Sequence, residues 1–223
     1  MKKQFLIAIL MLPTLIFSQV GGIVTGSGNT YNTIFNPNTE IDKTAEFKQL
    51  APKMYINTIY LAANVDNISE TFFLRYNLYR DEMEFSKNDQ LLYLKKKKER
   101  SVIFQNFNIH YKVFALDNEL KYFIVHNEGN NQLLSRQIVT FQEEQPPKNS
   151  YAAGKPADFI REKDEFYFRF DKNNILEVPG NKKKFYAIFK ENESKIKKYI
   201  KSNKLSIKKT EDLIKIVNYS NTL

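Results

Sequence analysis

From about Tyr55 apolar positions recur every second residue, with frequent β-branched and aromatic side chains, the spacing of half-buried strands. Phe72, Leu74, Tyr76 and Leu78 form one face of such a run, and Phe73, Arg75, Asn77 and Tyr79 form the other. After a turn near Arg80 and Asp81, Met83 and Phe85 point one way and Glu82 and Glu84 the other. That pattern predicts an antiparallel strand with a buried Met/Phe pair and exposed glutamates. Phe107, Ile109, Tyr111 and Val113 alternate with Asn108, His110 and Lys112. Leu120, Tyr122 and Ile124 alternate with Lys121, Phe123 and Val125, a strand apolar on both faces. Phe166, Phe168 and Phe170 alternate with Glu165, Tyr167 and Arg169. Turn residues separate these runs at Asp117-Asn118, at 127–131 and at 171–174, so successive strands sit at hairpin spacing. The stretch from Gln145-Pro146-Pro147 to Gly154-Lys155-Pro156 breaks the alternation and reads as a loop, or as a switch between two parts of the sheet.

Beyond Pro179-Gly180 the period becomes 3.6. Asn181 is placed to cap a short helix carrying Phe185, Ile188 and Phe189. In a second helix Ile196, Tyr199 and Ile200 share a face opposite Lys197, Lys198 and Lys201. Thr210 is placed to cap a third, with Glu211 and Asp212 in its first turn and an apolar arc of Leu213, Ile214, Ile216 and Val217. Helices this short are marginal alone, so their apolar stripes must pack on the sheet. The expected fold is α+β, mainly β: a single antiparallel meander sheet, curled or barrel-like, with about three short C-terminal helices packed on it.

The N-terminal stretch follows neither period. MKKQFLIAILMLPTLIFSQ places Lys2 and Lys3 before an apolar run, Phe5 to Phe17, interrupted only by Pro13 and Thr14 and followed by the small residue Ser18. This is the layout of a secretory signal peptide cleaved between Ser18 and Gln19, with a run too short to span a bilayer comfortably. Losing two lysines would lower the net charge from +9 to +7. Four of the seven glycines lie at 21, 22, 26 and 28, in a polar stretch that reads as a flexible leader. The expected organisation is a signal peptide at 1–18, the leader at 19–50, an antiparallel β domain at 51–180 and a helical segment at 181–223 packed on it. No later stretch has 18 consecutive apolar residues, so no transmembrane span is expected after cleavage.

The chain has no cysteine, which removes disulfides, thiol chemistry and the lipid-bearing cysteine of a lipoprotein. The basic excess is lysine, 28 Lys against 6 Arg, and Asn is used 23 times. Readers of nucleic acid favour arginine for its bidentate contacts, so nucleic acid is not the expected partner. The sharpest basic feature is Lys95-Lys96-Lys97-Lys98, which reads as a solvated connection between strands and as a candidate contact with an anionic envelope surface.

No catalytic, cofactor-binding or metal-ligating residue is assigned, and no cofactor is expected. His110 and His126 each sit in a strand pattern without a second histidine at metal spacing. Asp158, Glu162, Asp164 and Glu165 cluster, but acid–base work needs a geometry that spacing does not supply. Gly26-Ser27-Gly28 follows no strand and lacks the Lys-Ser/Thr ending of a phosphate loop.

The segment LRYNLYRDEMEF, Leu74 to Phe85, and the tail from Lys182 to Leu223 resemble a family of exported, uncharacterised proteins of flavobacterial-type Gram-negative bacteria. The resemblance implies export, and strands followed by a helical end. It brings no activity and no functional residues. The expected role is a non-enzymatic periplasmic or envelope interaction module, not a lipoprotein, whose partner is another envelope protein or an anionic envelope surface. The alternatives are a carrier holding a lipid-like ligand in a β-cup, and an envelope hydrolase using acidic residues.

Overall fold

The computed structural model describes residues 34–37, 45–88, 90–147, 149, 153–171 and 174–223. The expected signal segment and most of the expected leader lie outside them. The first half comprises β1 (Phe35–Pro37), α1 (Ala45–Leu50), a 3-10 turn (Ala51–Met54), β2 (Leu61–Val65), β3 (Thr71–Asn77), β4 (Glu82–Lys87), β5 (Gln90–Leu94) and β6 (Ser101–Phe104). The strands continue with β7 (Ile109–Leu116), β8 (Glu119–Val125), β9 (Gln132–Arg136), β10 (Val139–Gln142), β11 (Asp158–Arg161), β12 (Glu165–Phe170) and β13 (Asn174–Glu177). The end is helical: α2 (Lys182–Ala187), α3 (Glu193–Ser202) and α4 (Thr210–Ser220).

Eleven strands form one antiparallel sheet in the order β1-β5-β4-β3-β2-β6-β7-β8-β9-β12-β13, and it does not close into a barrel. Local chemistry explains the hairpins. Asp117 and Asn118, the two-residue link between β7 and β8, both have positive φ, at 50° and 63°, and short polar side chains tolerate that left-handed backbone best after glycine. Asp81, Asn88, Asn108 and Asp171 serve other turns the same way. The stretch expected as a loop or a switch, 145–156, is the connection of a separate hairpin, β10–β11, and its ends are joined by reciprocal 2.8 Å bonds between the backbones of Gln145 and Lys155.

Three apolar clusters hold the fold. The largest lines the first eight strands and includes Phe72, Leu74, Met83, Leu94, Val102 and Tyr122, with Val139 and Phe159 added by the β10–β11 hairpin. The second joins Leu133 of β9 and Phe168 of β12 to Phe185, Phe189, Ile196, Ile200, Leu213, Ile216 and Val217, so the helices are packed on the sheet. The third contains Phe114, Phe123, Val125, Leu134 and Tyr167. Tyr122 and Phe123 thus enter different clusters, as the doubly apolar pattern of β8 requires. Each fully buried large side chain contributes about 1.5–3 kcal/mol relative to exposure.

Several expectations change. Within the stretch expected as a leader, Phe35 is buried, pairs with β5 and stacks on Phe85 at 4.7 Å, because the β5 edge needs both hydrogen bonds and an apolar cover. Phe107 lies before β7 and is 58% exposed, so it is not part of that strand's core face. Thr210 does not cap α4: Lys209 precedes the helix without a side-chain cap bond, while Asp212 accepts from the Ser206 amide at 2.9 Å. Asn181 does cap α2, accepting from the amides of Lys183 and Lys184. Among the described residues no helix is long and apolar enough to cross a membrane.

Candidate functional site

The acidic run at the β3–β4 turn is a strand, but its glutamates are not the exposed pair that period two predicts. Glu84 is 1% exposed. Its carboxylate accepts from Arg75 Nη2 at 2.5 Å and Nε at 3.0 Å, from Asn77 Nδ2 at 2.8 Å and from the Tyr55 hydroxyl at 2.9 Å. The Arg75 guanidinium lies 4.0 Å from the Tyr55 ring centre and 4.6 Å from that of Tyr60. The face opposite Met83 is therefore covered by the chain between the 3-10 turn and β2, and a charge can stay there because it is fully paired. Burial, followed by the Glu84 charge, raises the Tyr55 pKa, keeping the hydroxyl a donor. Glu82 is half-buried and 3.6 Å from Lys96; burial raises its pKa against the pull of that lysine. Asp81 is buried, accepting from Tyr76 at 2.6 Å and Lys96 at 2.9 Å.

These bonds also recast the lysine run. Lys96 turns inward to Asp81, Lys95 is half-buried, and only Lys97 and Lys98 are exposed. The two residues that follow bind elsewhere: Glu99 accepts from Arg169 of β12, and Arg100 donates to Asp66 at 3.2 Å. The β5–β6 connection is thus tied to three other parts of the sheet.

The acids of 158–165 are likewise paired. Asp158 meets Lys53 at 2.6 Å, Glu162 accepts from Thr140, Asp164 pairs with Arg161, and Glu165 accepts from Tyr167 and lies 3.5 Å from Arg136. Among the described residues no group of three or more His, Asp or Glu side chains could hold a metal ion. Each histidine bonds a serine across neighbouring strands, a feature sequence reasoning missed: His110 Nε2 is 2.8 Å from Ser101 Oγ, and His126 Nε2 is 2.8 Å from Ser135 Oγ. Register alone brings these pairs together. Glu128 Oε1 is 3.9 Å from His110 Nδ1 and its side chain is 82% exposed, so the trio lacks the fixed orienting group a nucleophile and base require.

One concavity is lined mainly by apolar side chains. Between the Tyr55–Asn77 bridge and the Leu61–Leu74 pair, β3 advances three residues while the other strand advances six. The intervening stretch 56–60, three residues longer than its counterpart on β3, bulges away from that strand and borders a cavity of about 220 Å³. The bulge contributes Ile56, Asn57 and Ile59; Leu74, Tyr76 and Leu78 form one wall; Phe104, Phe107, Ile109 and Tyr111 form another. Tyr111 donates to Gln137 Oε1 at 2.9 Å, which places a polar pair in this lining. Ile56, Ile59 and Phe107 are 61%, 61% and 58% exposed, so the lining continues outward as an apolar rim. Sequence reasoning missed the site because the surplus of three residues is visible only once the register is known.

No family model, no curated protein and no solved structure matches this chain.

Proposed function

We propose that this protein is an exported, non-enzymatic interaction module of the cell envelope that seats an apolar side chain of a partner in the cavity beneath 56–60. The observation that carries this reading is a preformed cavity of about 220 Å³ whose rim exposes Ile56, Ile59 and Phe107. Exposed apolar side chains around a concavity mark sites where another molecule covers them. An apolar cavity of about 150 Å³ is enough to take benzene, whereas sites that enclose a drug-sized ligand run to about 300–1,000 Å³. At this site the size therefore favours one anchoring side chain over a whole lipid.

In this reading the sheet is curled. β3 and β7 are three strands apart, about 14 Å in a flat sheet, yet the Tyr76 and Tyr111 rings are 4.9 Å apart. The buried turn residue Asp81 also lies 3.3 Å from the amide of Tyr122 in β8. Export rests on the N-terminal pattern, and a chain beginning at Gln19 in the envelope fraction of a Gram-negative host would support it. Recovery of the uncleaved chain in the cytosol would refute it.

The site is tested by titrating toluene into protein with labelled isoleucine methyl groups. Saturable shifts at Ile56, Ile59 and Ile109, lost in Phe104→Asp, are expected. Shifts spread evenly over the molecule, or none, would overturn the assignment.

A further inference from the structure

The positive charge of this protein is concentrated in its helical end. Residues 181–223 contain 12 lysines and no arginine against 4 acids, a net +8 out of the +9 carried by the whole chain. Only one of these lysines, Lys215, has an ion pair within the protein, with Asp212 at 3.7 Å among the described residues. Uncompensated charge of one sign in one segment costs self-repulsion and is relieved by an anionic partner.

The same segment encloses a second cavity, of about 420 Å³, between α2, α3 and the loop that joins α3 to α4. Its lining combines apolar groups, Tyr186, Ile200 and Leu205, with Lys182 and Lys208. Both lysines are exposed. A third cation, Lys197, stands 5.8 Å over the Tyr186 ring. The apolar part is anchored from behind, since Ile200 belongs to the cluster that fastens the helices to β9 and β12. The arrangement offers two cations beside a greasy floor, on a support that does not have to fold on binding.

We propose that this face docks on anionic lipid, with a headgroup phosphate between Lys182 and Lys208 and the adjoining apolar part of the lipid over Tyr186, Ile200 and Leu205. Lysine charge draws the protein to an anionic surface, and apolar contact outlasts the screening that salt imposes on charge alone. This docking is separate from the cavity beneath 56–60, which stays open to a partner. Either proposal survives failure of the other.

The test is sedimentation of the mature chain with vesicles of phosphatidylcholine alone and of phosphatidylcholine with phosphatidylglycerol. Binding to the anionic vesicles only is expected, with a measurable part remaining at about 0.5 M salt, where the screening length is only a few ångströms. Lys182→Glu with Lys208→Glu should weaken binding about tenfold or more, whereas Lys97→Glu with Lys98→Glu, the same change of charge at the β5–β6 connection, should alter it less than about threefold. Gly180→Asp is a second probe of the same mouth, because a Cβ there meets nothing within 4 Å and the fold should tolerate it. It too should weaken binding. Three results would overturn the proposal: no binding to anionic vesicles, equal losses in the two lysine pairs, or complete loss of binding at about 0.5 M salt. The last two would mean attraction by net charge alone. Melting temperatures of all variants within a few degrees of the parent confirm that folded proteins are being compared.

Discussion

Arg75 and Glu84 face each other across the β3–β4 ladder, and two guanidinium nitrogens donate to one carboxylate oxygen, at 3.0 and 2.5 Å. The carboxylate is nearly inaccessible and the arginine side chain is 19% exposed. Tyr55 and Asn77 fill the remaining acceptor positions, so the pair joins the chain before β2 to the β3–β4 hairpin. Removing one member of such a pair leaves the other charge buried without a partner. Glu84→Gln should therefore cost about 3 kcal/mol in denaturant unfolding. Glu82→Gln, at a half-buried site, should cost about 0.5 kcal/mol or less. Equal effects at the two positions would show that the network around Glu84 is not what holds the hairpin.

The helical end is part of the core. Ile216 is fully buried against the cluster containing Leu133 and Phe168, and Leu213 is 2% exposed. Leu213→Ala or Ile216→Ala should cost about 2–5 kcal/mol by chemical denaturation. Deleting everything after Lys209 should leave an insoluble or partly unfolded chain. A truncated protein melting within a few degrees of the parent would show that the strands fold without α4.

Asn131 and Asn221 form a reciprocal clamp between the β8–β9 turn and the end of α4. The Asn131 amide donates to Asn221 Oδ1 at 2.7 Å, and Asn221 Nδ2 donates to the Asn131 carbonyl at 2.9 Å. Gly129 makes room for it: its φ is +125°, and a Cβ there would stand 2.6 Å from Asn221 Nδ2. Asn221→Ala should cost about 1–2 kcal/mol. Gly129→Ala should cost about as much or more, because strain adds to the collision. Hydrogen exchange should quicken in α4 in both variants, and unchanged exchange would show that the clamp carries no weight.

Both histidines should make stability fall on mild acidification. Burial lowers the pKa of His110, helped by Lys112 and opposed by Glu128; burial also lowers that of His126, opposed by Asp164. The unfolded chain, with histidine near its ordinary value of about 6.5, takes up protons first as pH falls. The stability these residues contribute is full above about pH 6.5 and is lost as pH drops toward the lowered folded values. The melting temperature should decline between about pH 7 and pH 5.5, and His126→Gln with His110→Gln should flatten that decline. An unchanged slope in the double variant would assign it to carboxylates instead.

Alternation and turn chemistry determined much of this fold without any tertiary information. The buried faces of β3 and β4, the doubly covered β8, the capped α2 and the inward arcs of α3 and α4 all follow from local spacing, because side-chain direction is fixed by backbone period. On β12 the spacing marks Phe166, Phe168 and Phe170 as the apolar face, but Tyr167 and Arg169 on the other face are buried too. What covers the second face of a strand is not local. The period places Glu84 opposite Met83, but only the return of Tyr55 and Tyr60 over that face decides that the glutamate is buried and must find Arg75. In the same way Lys96 looks like its neighbours until Asp81 comes within 2.9 Å. The cavity beneath 56–60 arises from a mismatch of register between two strands, and the Ser–His pairs from adjacency across strands. Those are relations between residues distant in the chain, set by which strands pair and in what register, and a single strand's pattern contains no record of its partner.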